Sequence, residues 1–224
     1  MDGNGRWAAE RGRSRLAGHR AGAAAVRAVV ESCARLGVEA LTLYVFSSEN
    51  WSRPRAEVAG LFKMFVRFLK SETPELVRQG IRLLAIGRTG MLPAEAGRAL
   101  ARAIGETAAG GGMALVLAVN YGGQDEIVDA ARRLAREARE GRIDPGRIDR
   151  ADVERSLHTA GLPPVDLLIR TGGDMRISNF LLWQISYAEL YFTRTYWPDF
   201  SRDHLVRALE SFARRERRFG GLRD

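Results

Sequence analysis

Residues 39–46, Glu-Ala-Leu-Thr-Leu-Tyr-Val-Phe, form a near-continuous apolar run of strand length. A strand wetted on one face alternates apolar and polar residues, so an unbroken run suits a parallel strand covered on both faces. The runs 81–86, Ile-Arg-Leu-Leu-Ala-Ile, and 113–119, Met-Ala-Leu-Val-Leu-Ala-Val, have the same character, and a fourth strand is expected at 165–169 after Pro163-Pro164. Between the runs the apolar spacing turns helical. Val26, Val29, Val30 and Cys33 mark a helix over 22–36 that stops at Gly37. Further helices are expected at about 55–72, 94–107, 124–140, 150–159 and 202–217, and a short helix followed by a strand, Glu189-Leu190-Tyr191-Phe192, within 180–192. Strands alternating with helices imply βαβ units: an α/β fold with a mostly parallel central sheet flanked by helices. No linker, repeat or low-complexity segment interrupts the chain, which reads as one domain over 1–224.

The helix at 55–72 is unusually apolar. Val58, Leu61, Phe62, Phe65, Val66 and Leu69 share one broad face, and Met64 and Phe68 widen it. A helix apolar over so much of its circumference is either deeply buried or lines an apolar cavity, with burial the default.

Composition narrows the partners. The 224 residues are 46% hydrophobic, and no apolar run approaches the ~20 residues that span a bilayer. The polar, glycine-rich start does not read as a signal peptide. A single cysteine, Cys33, excludes an internal disulfide, fits a reducing cytoplasm and, on a helix, reads as a packed thiol. The net charge is +8, and of 35 lysines and arginines only Lys63 and Lys70 are lysine. A basic balance implies anionic partners: nucleic acid, membrane headgroups or phosphorylated substrates.

In open parallel sheets ligands bind beyond the carboxyl ends of strands. Polar, glycine-rich segments fall there: Ser47 to Arg53, Asn120 to Gly123, and Arg170 to Asn179. No Gly-x-x-x-x-Gly-Lys-Ser/Thr loop, no Gly-x-Gly-x-x-Gly after a strand, no zinc spacing and no serine elbow is present, which argues against those chemistries. What remains is arginines on glycine-rich loops, a few carboxylates and an apolar helix. The opening Met1-Asp2-Gly3-Asn4-Gly5-Arg6-Trp7 combines an anion-binding nest of backbone N–H groups with a planar cation. Asp2 belongs beside a phosphate only if a divalent cation lies between them. The same residues are also ordinary turn chemistry. Residues 8–20, with Arg11, Arg13, Arg15, His19 and Arg20, read as a loop or frayed helix. Arg170 and Arg176 flank a Gly-Gly turn and, with Ser178, could grip a diphosphate through charge-assisted bonds; alternatively Arg170 caps a strand end in solvent. A diphosphate on an apolar tail accounts for both the arginines and the apolar helix.

Several stretches together resemble a known family. They are Asp2-Gly3-Asn4-Gly5-Arg6-Trp7-Ala8 with Gly18-His19 and Gly22; Thr42-Leu43-Tyr44 with Phe46-Ser47-Ser48-Glu49-Asn50-Trp51 and Arg53-Pro54; Asn120-Tyr121-Gly122-Gly123; Asp166-Leu167 and Ile169-Arg170-Thr171-Gly172-Gly173; Arg176-Ile177-Ser178-Asn179-Phe180-Leu181-Leu182-Trp183-Gln184; Tyr187-Ala188-Glu189-Leu190-Tyr191-Phe192; Trp197-Pro198-Asp199-Phe200; and Arg217-Arg218-Phe219-Gly220-Gly221. In this order, nearly end to end, they resemble the signatures of the cis-prenyltransferases, in particular the bacterial undecaprenyl diphosphate synthases.

The resemblance implies a reaction. An allylic diphosphate, typically farnesyl diphosphate, is extended by isopentenyl diphosphate units with release of diphosphate, giving a long-chain polyprenyl diphosphate, the precursor of the undecaprenyl carrier lipid of cell-wall synthesis. It implies Mg2+, a cytoplasmic homodimer, no nucleic-acid partner, and room for peripheral membrane association during product release. By position, Asp2 handles magnesium and the leaving diphosphate, and Glu189 is a magnesium ligand. Gly3, Asn4, Gly5 and Arg6 cradle the allylic diphosphate, with Arg15 and His19 assisting and Trp7 near the prenyl chain. Asn50 is assigned to proton removal, although an amide is a poor base and is better suited to positioning. Ser47, Ser48, Glu49, Trp51 and Arg53 border the substrates. Arg170, Arg176, Ile177 and Ser178 serve isopentenyl diphosphate. Arg218 and Gly220, of the terminal Arg-x-Gly, reach toward the diphosphate site across the dimer. The apolar helix becomes a wall of a product tunnel.

Two departures stand out. Met175 occupies a position where many bacterial members carry a histidine near the metal. The family also has an apolar strand before the opening aspartate. The expectation is therefore that the protein starts upstream, that Met1 is an internal methionine, and that a strand is missing from the chain as written. An α-amino group with an ordinary pKa of ~7.7–8 beside Asp2 would oppose magnesium. A nucleic-acid-binding domain and a non-catalytic partner subunit are the rival readings. The first leaves the apolar helix unexplained, and the second usually lacks the opening aspartate.

Overall fold

The computed structural model describes residues 1–216. In chain order the elements are α1 (Asn4–Ala9), α2 (Arg15–Arg35), β1 (Ala40–Ser47), α3 (Arg55–Arg78), β2 (Arg82–Ile86) and α4 (Ala94–Thr107). There follow β3 (Ala114–Tyr121), α5 (Gly123–Arg139), α6 (Arg150–Ser156), β4 (Leu167–Arg170), β5 (Glu189–Phe192) and α7 (Arg202–Ala213). The described residues group into two compact units, one of Val38–Pro163 with Ser178–Trp183, the other of Met1–Gly37, Pro164–Ile177 and the residues from Gln184 onward. The α/β reading with parallel strands holds, and the strands pair as two sheets.

In the first unit the sheet order is β1-β3-β2, all parallel. Central β3 is buried at all eight positions, which is why its sequence carries no alternation. Leu117 lies between Leu43 and Ala85 in register. Helix α3 packs on α4 and buries Val58, Phe62, Phe65, Val66, Leu69 and Leu76, while Leu61, Met64 and Phe68 are half-buried. It runs past its expected end at 72 and through Pro74. Proline removes one backbone donor there. Thr73 Oγ1 donates to the Leu69 carbonyl at 2.6 Å, and buried Leu76 anchors the last turn. At the α5 start, buried Glu126 accepts from the Tyr121 hydroxyl at 2.6 Å and from the His158 backbone N–H at 2.8 Å. Burial, then the Glu126 charge, pushes the Tyr121 hydroxyl far above its ordinary pKa. The carboxylate is tolerated inside because both of its oxygens are satisfied.

In the second unit α1 crosses α2 in close contact. A Cβ on Gly18 would lie 2.0 Å from the Asn4 carbonyl oxygen, and one on Gly22 would lie 2.4 Å from Asn4 Oδ1 and 2.9 Å from Trp197 Cδ1. The Trp197 indole donates to the Gly22 carbonyl at 2.9 Å. These glycines explain a correction. Residues 8–20 are mostly not a loop: α1 ends at Ala9, Ser14 caps α2 through its hydroxyl, and α2 starts at Arg15 rather than 22. Cys33, on α2, is 2% exposed, and burial raises its thiol pKa to about 11. β4 and β5 pair in parallel, with Leu167 opposite Glu189 and Arg170 opposite Phe192. The short helix expected within 180–188 does not form; its entry is turned aside by positive φ at Ser178 (53°), Asn179 (60°) and Leu181 (47°).

Candidate active site

The opening segment is pinned before it presents any chemistry. Asp2 donates its backbone N–H to Thr171 Oγ1 at 2.9 Å, and its carbonyl accepts from the Thr171 hydroxyl at 2.9 Å and the Trp197 N–H at 2.9 Å. Thr171 is 1% exposed, so this clip is dry. Gly3 follows at φ 100°, a left-handed conformation that a side chain rarely adopts, and turns the chain into α1. Asp2 Oδ1 accepts the Gly3 N–H at 2.7 Å, leaving Oδ2 to accept from Arg170 Nη2 at 2.9 Å. Burial opposes charge on Asp2, but the bonds from Arg170 and Gly3 and the fields of Arg170 and Arg6 prevail, and its pKa falls below the ordinary value. In the chain beginning at Met1, burial lowers the amino-group pKa to about 6, so at neutral pH the amine beside Asp2 is mostly uncharged.

Gly172 and Gly173, at φ 88° and 84°, bring the strand-end loop against this segment. A Cβ on Gly172 would lie 2.9 Å from Arg6 Nη2. The next residue is the centre of the cluster. Asp174 Oδ2 takes Arg176 Nη2 at 3.0 Å, Arg6 Nη2 at 3.3 Å and Arg170 Nη2 at 3.3 Å. Arg170 also donates Nη1 to the Arg176 carbonyl. Three arginines thus converge on one carboxylate oxygen, with Asp2 alongside. Sequence reasoning picked out the three cations and Asp2 and missed Asp174; the signal was an acid set between two arginines on a Gly-Gly turn.

Other expected residues of this unit lie around the cluster in different ways. The Arg15 guanidinium covers Gly5, at 3.5 Å from where a Cβ would stand. His19 is half-buried one turn further along α2. Asn4 turns inward and is 9% exposed, with Oδ1 buried against Gly22. Trp7 is 8% exposed, donates Nε1 to Asp199 Oδ1 at 2.7 Å and lies under the Arg11 guanidinium at 4.4 Å. Ile177 is half-buried and Met175 is 80% exposed. Glu189 stands apart. It opens β5, three residues before the level of Arg170, about 10 Å along a strand. Its carboxylate takes Arg215 Nη1 at 2.7 Å.

The other unit gathers a second set. After β1 a single 3-10 turn, Ser48–Ser52, is closed by Asn50 Oδ1, which accepts the Ser47 N–H at 3.2 Å. That amide oxygen therefore shapes the loop. Trp51 donates Nε1 to Asn120 Oδ1 at 2.8 Å and stacks on Phe62, with ring centroids 5.4 Å apart. Asn120, at φ 50°, also donates to the Arg88 carbonyl at 3.0 Å. Arg53 pairs with Glu57 at 3.2 Å. Asn179 donates to Glu49 Oε1 at 2.7 Å, and its backbone carbonyl accepts the Gly123 N–H at 2.7 Å. Burial alone would raise Glu49, but the bonds from Asn179, its own backbone and the Ser47 and Ser48 hydroxyls hold its pKa below the ordinary value. A Cβ on Gly122 would lie 2.7 Å from Ser48 Oγ, so the glycine permits this closure. Ser178 is exposed. Sequence reasoning gave Asn120 and Asn179 no role of their own. Arg218 and Gly220 lie outside the described residues.

Among the described residues no group of three or more His, Cys, Asp or Glu forms a metal cage. Mg2+ seldom needs one: it takes one or two carboxylates with waters and substrate phosphates. Asp2 and Asp174 share one guanidinium nitrogen, so they lie within reach of a common ion, and this donor set fits Mg2+ accompanied by a diphosphate.

Known proteins are similar to this chain in sequence and in fold. A family model described as "Putative undecaprenyl diphosphate synthase" matches residues 1–220. An isoprenyl transferase of Zymomonas mobilis is 50% identical over 222 residues, covering 99% of this chain and 90% of that protein. The farnesyl-diphosphate-specific ditrans,polycis-undecaprenyl-diphosphate synthase of Escherichia coli K12 is 49% identical over 221 residues, covering 99% of this chain and 87% of its own. Lavandulyl diphosphate synthase of Lavandula x intermedia, solved with dimethylallyl diphosphate, superposes with a TM-score of 0.96 at 39% identity, covering 98% of this chain and 95% of that one. With the arginine cluster and the pinned aspartate in place, this chain belongs to the undecaprenyl diphosphate synthase family of prenyltransferases.

Proposed function

We propose that the protein condenses isopentenyl diphosphate onto an allylic diphosphate, with farnesyl diphosphate as primer and a long-chain polyprenyl diphosphate, the undecaprenyl carrier precursor, as product. The observation that carries this reading is the convergence of Arg6, Arg170 and Arg176 beside the pinned Asp2. Planar guanidiniums suit the oxygens of a diphosphate, and donors fixed in advance stabilise the charge that builds as diphosphate departs. Magnesium, held by Asp2 with Asp174 within reach, would neutralise part of that charge. Glu189 as a further ligand rests on the family resemblance. Arg6, Gly3 and Gly5 serve the allylic diphosphate, with Asn4 bracing the turn from inside and Arg15 and His19 assisting. Arg170, Arg176, Ile177 and Ser178 serve isopentenyl diphosphate. Asn50 orients rather than deprotonates, and Ser47, Ser48, Glu49, Trp51 and Arg53 border the substrates. The half-buried flank of α3, Leu61, Met64 and Phe68, is the surface we assign to the prenyl tail. Residues 1–224 act as one catalytic domain, as a homodimer in the cytoplasm with peripheral membrane contact for product release. Among the described residues no helix is long and apolar enough to cross a membrane.

The test mixes protein, farnesyl diphosphate, labelled isopentenyl diphosphate and Mg2+. Butanol-extractable long-chain product is expected, and its absence overturns the reading. Product from dimethylallyl diphosphate alone would instead favour the chemistry of the lavender relative.

A further inference from the structure

Asp174 is the unexpected member of the arginine cluster. Three guanidiniums aimed at one point repel one another, and they hold that geometry only around an anion. Here the anion is a single carboxylate oxygen, Asp174 Oδ2, which takes Arg6, Arg170 and Arg176 at 3.0 to 3.3 Å. A phosphate oxygen would draw the same nitrogens in to about 2.7–2.9 Å, the range of charge-assisted bonds, so the carboxylate holds them more loosely than a phosphate would. The side chains of Arg6 and Arg176 are 45% and 66% exposed, and surface ion pairs of this kind add little to stability. Arg170, 12% exposed, keeps Asp2 as a second carboxylate partner at 2.9 Å, so its pairing does not depend on Asp174 alone. The backbone position of Asp174 is set independently by left-handed Gly172 and Gly173, whose N–H groups bond the Thr195 and Thr193 carbonyls at 2.8 and 2.9 Å.

We propose that Asp174 is a resident surrogate for the substrate diphosphate: it keeps Arg6, Arg170 and Arg176 converged while the site is empty and yields them when a diphosphate arrives. This deepens, and rests on, the diphosphate reading of the same site. The exchange leaves cation and anion in balance, because the incoming phosphate oxygens replace the carboxylate at the guanidiniums. The displaced carboxylate then lies beside Asp2, where two like charges favour a divalent cation. The cost of displacing Asp174 is subtracted from diphosphate affinity in the absence of a cation.

The experiment is calorimetric titration of inorganic diphosphate into the full chain at low salt with EDTA, for wild type, Asp174→Asn, Asp174→Ser and Asp174→Glu. Removing the competing charge should tighten binding about tenfold in the Asn and Ser variants. Asp174→Glu, which keeps a competitor, should stay within about threefold of wild type. Two neutral variants guard against one that fails to fold, with circular dichroism as the check. Wild-type binding with equal or weaker binding by the folded neutral variants overturns the surrogate role and leaves the diphosphate site standing. No binding by wild type or by any variant at millimolar diphosphate overturns the diphosphate reading itself, and the surrogate with it.

Discussion

Asn179 donates its side-chain amide to Glu49 Oε1 at 2.7 Å while its own amide oxygen accepts the Gln124 N–H at 2.8 Å. One residue thus ties the turn that carries Asn50 and Trp51 to the first turn of α5. Asn179→Ala should lower kcat/KM at least about tenfold while costing only about 1 kcal/mol of stability, since both bonds are exposed. Asn179→Asp should be worse at neutral pH, because it sets a second carboxylate against Glu49. Its defect should ease as pH falls and the pair takes up a proton. Steady-state kinetics across pH, beside thermal melts, separates the two variants.

Asn120 satisfies two partners at once, the Trp51 indole and the Arg88 carbonyl, from a left-handed backbone. Leucine in its place removes the acceptor of the Trp51 indole, leaves the Arg88 carbonyl with only the Met91 N–H at 3.1 Å, and resists the positive φ. Asn120→Leu should lose about 2–3 kcal/mol in urea denaturation. A loss below about 0.5 kcal/mol would show that the clamp is not structural.

Gly22 admits α1 against α2. In Gly22→Ala the new methyl meets Asn4 Oδ1 at 2.4 Å and the Trp197 ring at 2.9 Å. Overpacking of this kind costs about 1–3 kcal/mol. Since α1 carries Arg6 and follows Asp2, diphosphate binding should weaken along with the melting temperature, which a titration and a melt on one sample can read together.

Asp2 has a pKa below its ordinary 3.8 in the folded chain. The unfolded chain binds the proton more readily. Asp2 therefore favours the folded state above about pH 4, and that contribution fades as pH falls through the lowered folded pKa. Asp2→Asn should flatten the acid side of the stability profile below about pH 5, and, because the Asp2 charge raises the pKa of the neighbouring Met1 amine, it should alter the profile near neutral pH as well. It should also abolish turnover; denaturant melts over pH, with one activity assay, check both.

Tyr121→Phe removes the hydroxyl that satisfies Glu126 Oε2 inside the protein. Loss of this buried bond should cost about 1–3 kcal/mol. Turnover per folded molecule should fall less than in Asn179→Ala, because the bonds of Asn179 to Glu49 and Gln124 remain in place.

The strands were the most legible part of the chain. β3 was visible because burial on both faces writes itself into sequence as an unbroken apolar run, and its neighbours β1 and β2 carry similar runs although only Leu43 and Phe46 of the one and Leu83 and Ile86 of the other are fully buried. α4 and α5 followed from apolar spacing, α4 to the residue and α5 to within one residue at either end. The start of α2 was not visible. Its first turns are arginine, glycine and alanine, and they are held helical by the fit of Gly18 and Gly22 against α1, a tertiary fact with no local period. The arginines of the candidate site were visible as residue types on glycine-rich loops. The role of Asp174 was not, because it depends on Arg6, 168 residues away in the chain, arriving at the same oxygen. Likewise the left-handed run through Ser178 and Asn179 cancelled a helix that apolar content alone suggested.

The burial of Cys33 makes a second, introduced thiol addressable on its own. With 2% exposure and a thiol pKa of about 11, Cys33 is nearly devoid of thiolate at neutral pH and shielded from reagents. It is the one native cysteine of the sequence. Met175, 80% exposed and adjacent to Asp174, can be exchanged for cysteine and labelled selectively in folded protein without first deleting the native thiol. A fluorophore there would make the occupancy of the arginine cluster an optical signal.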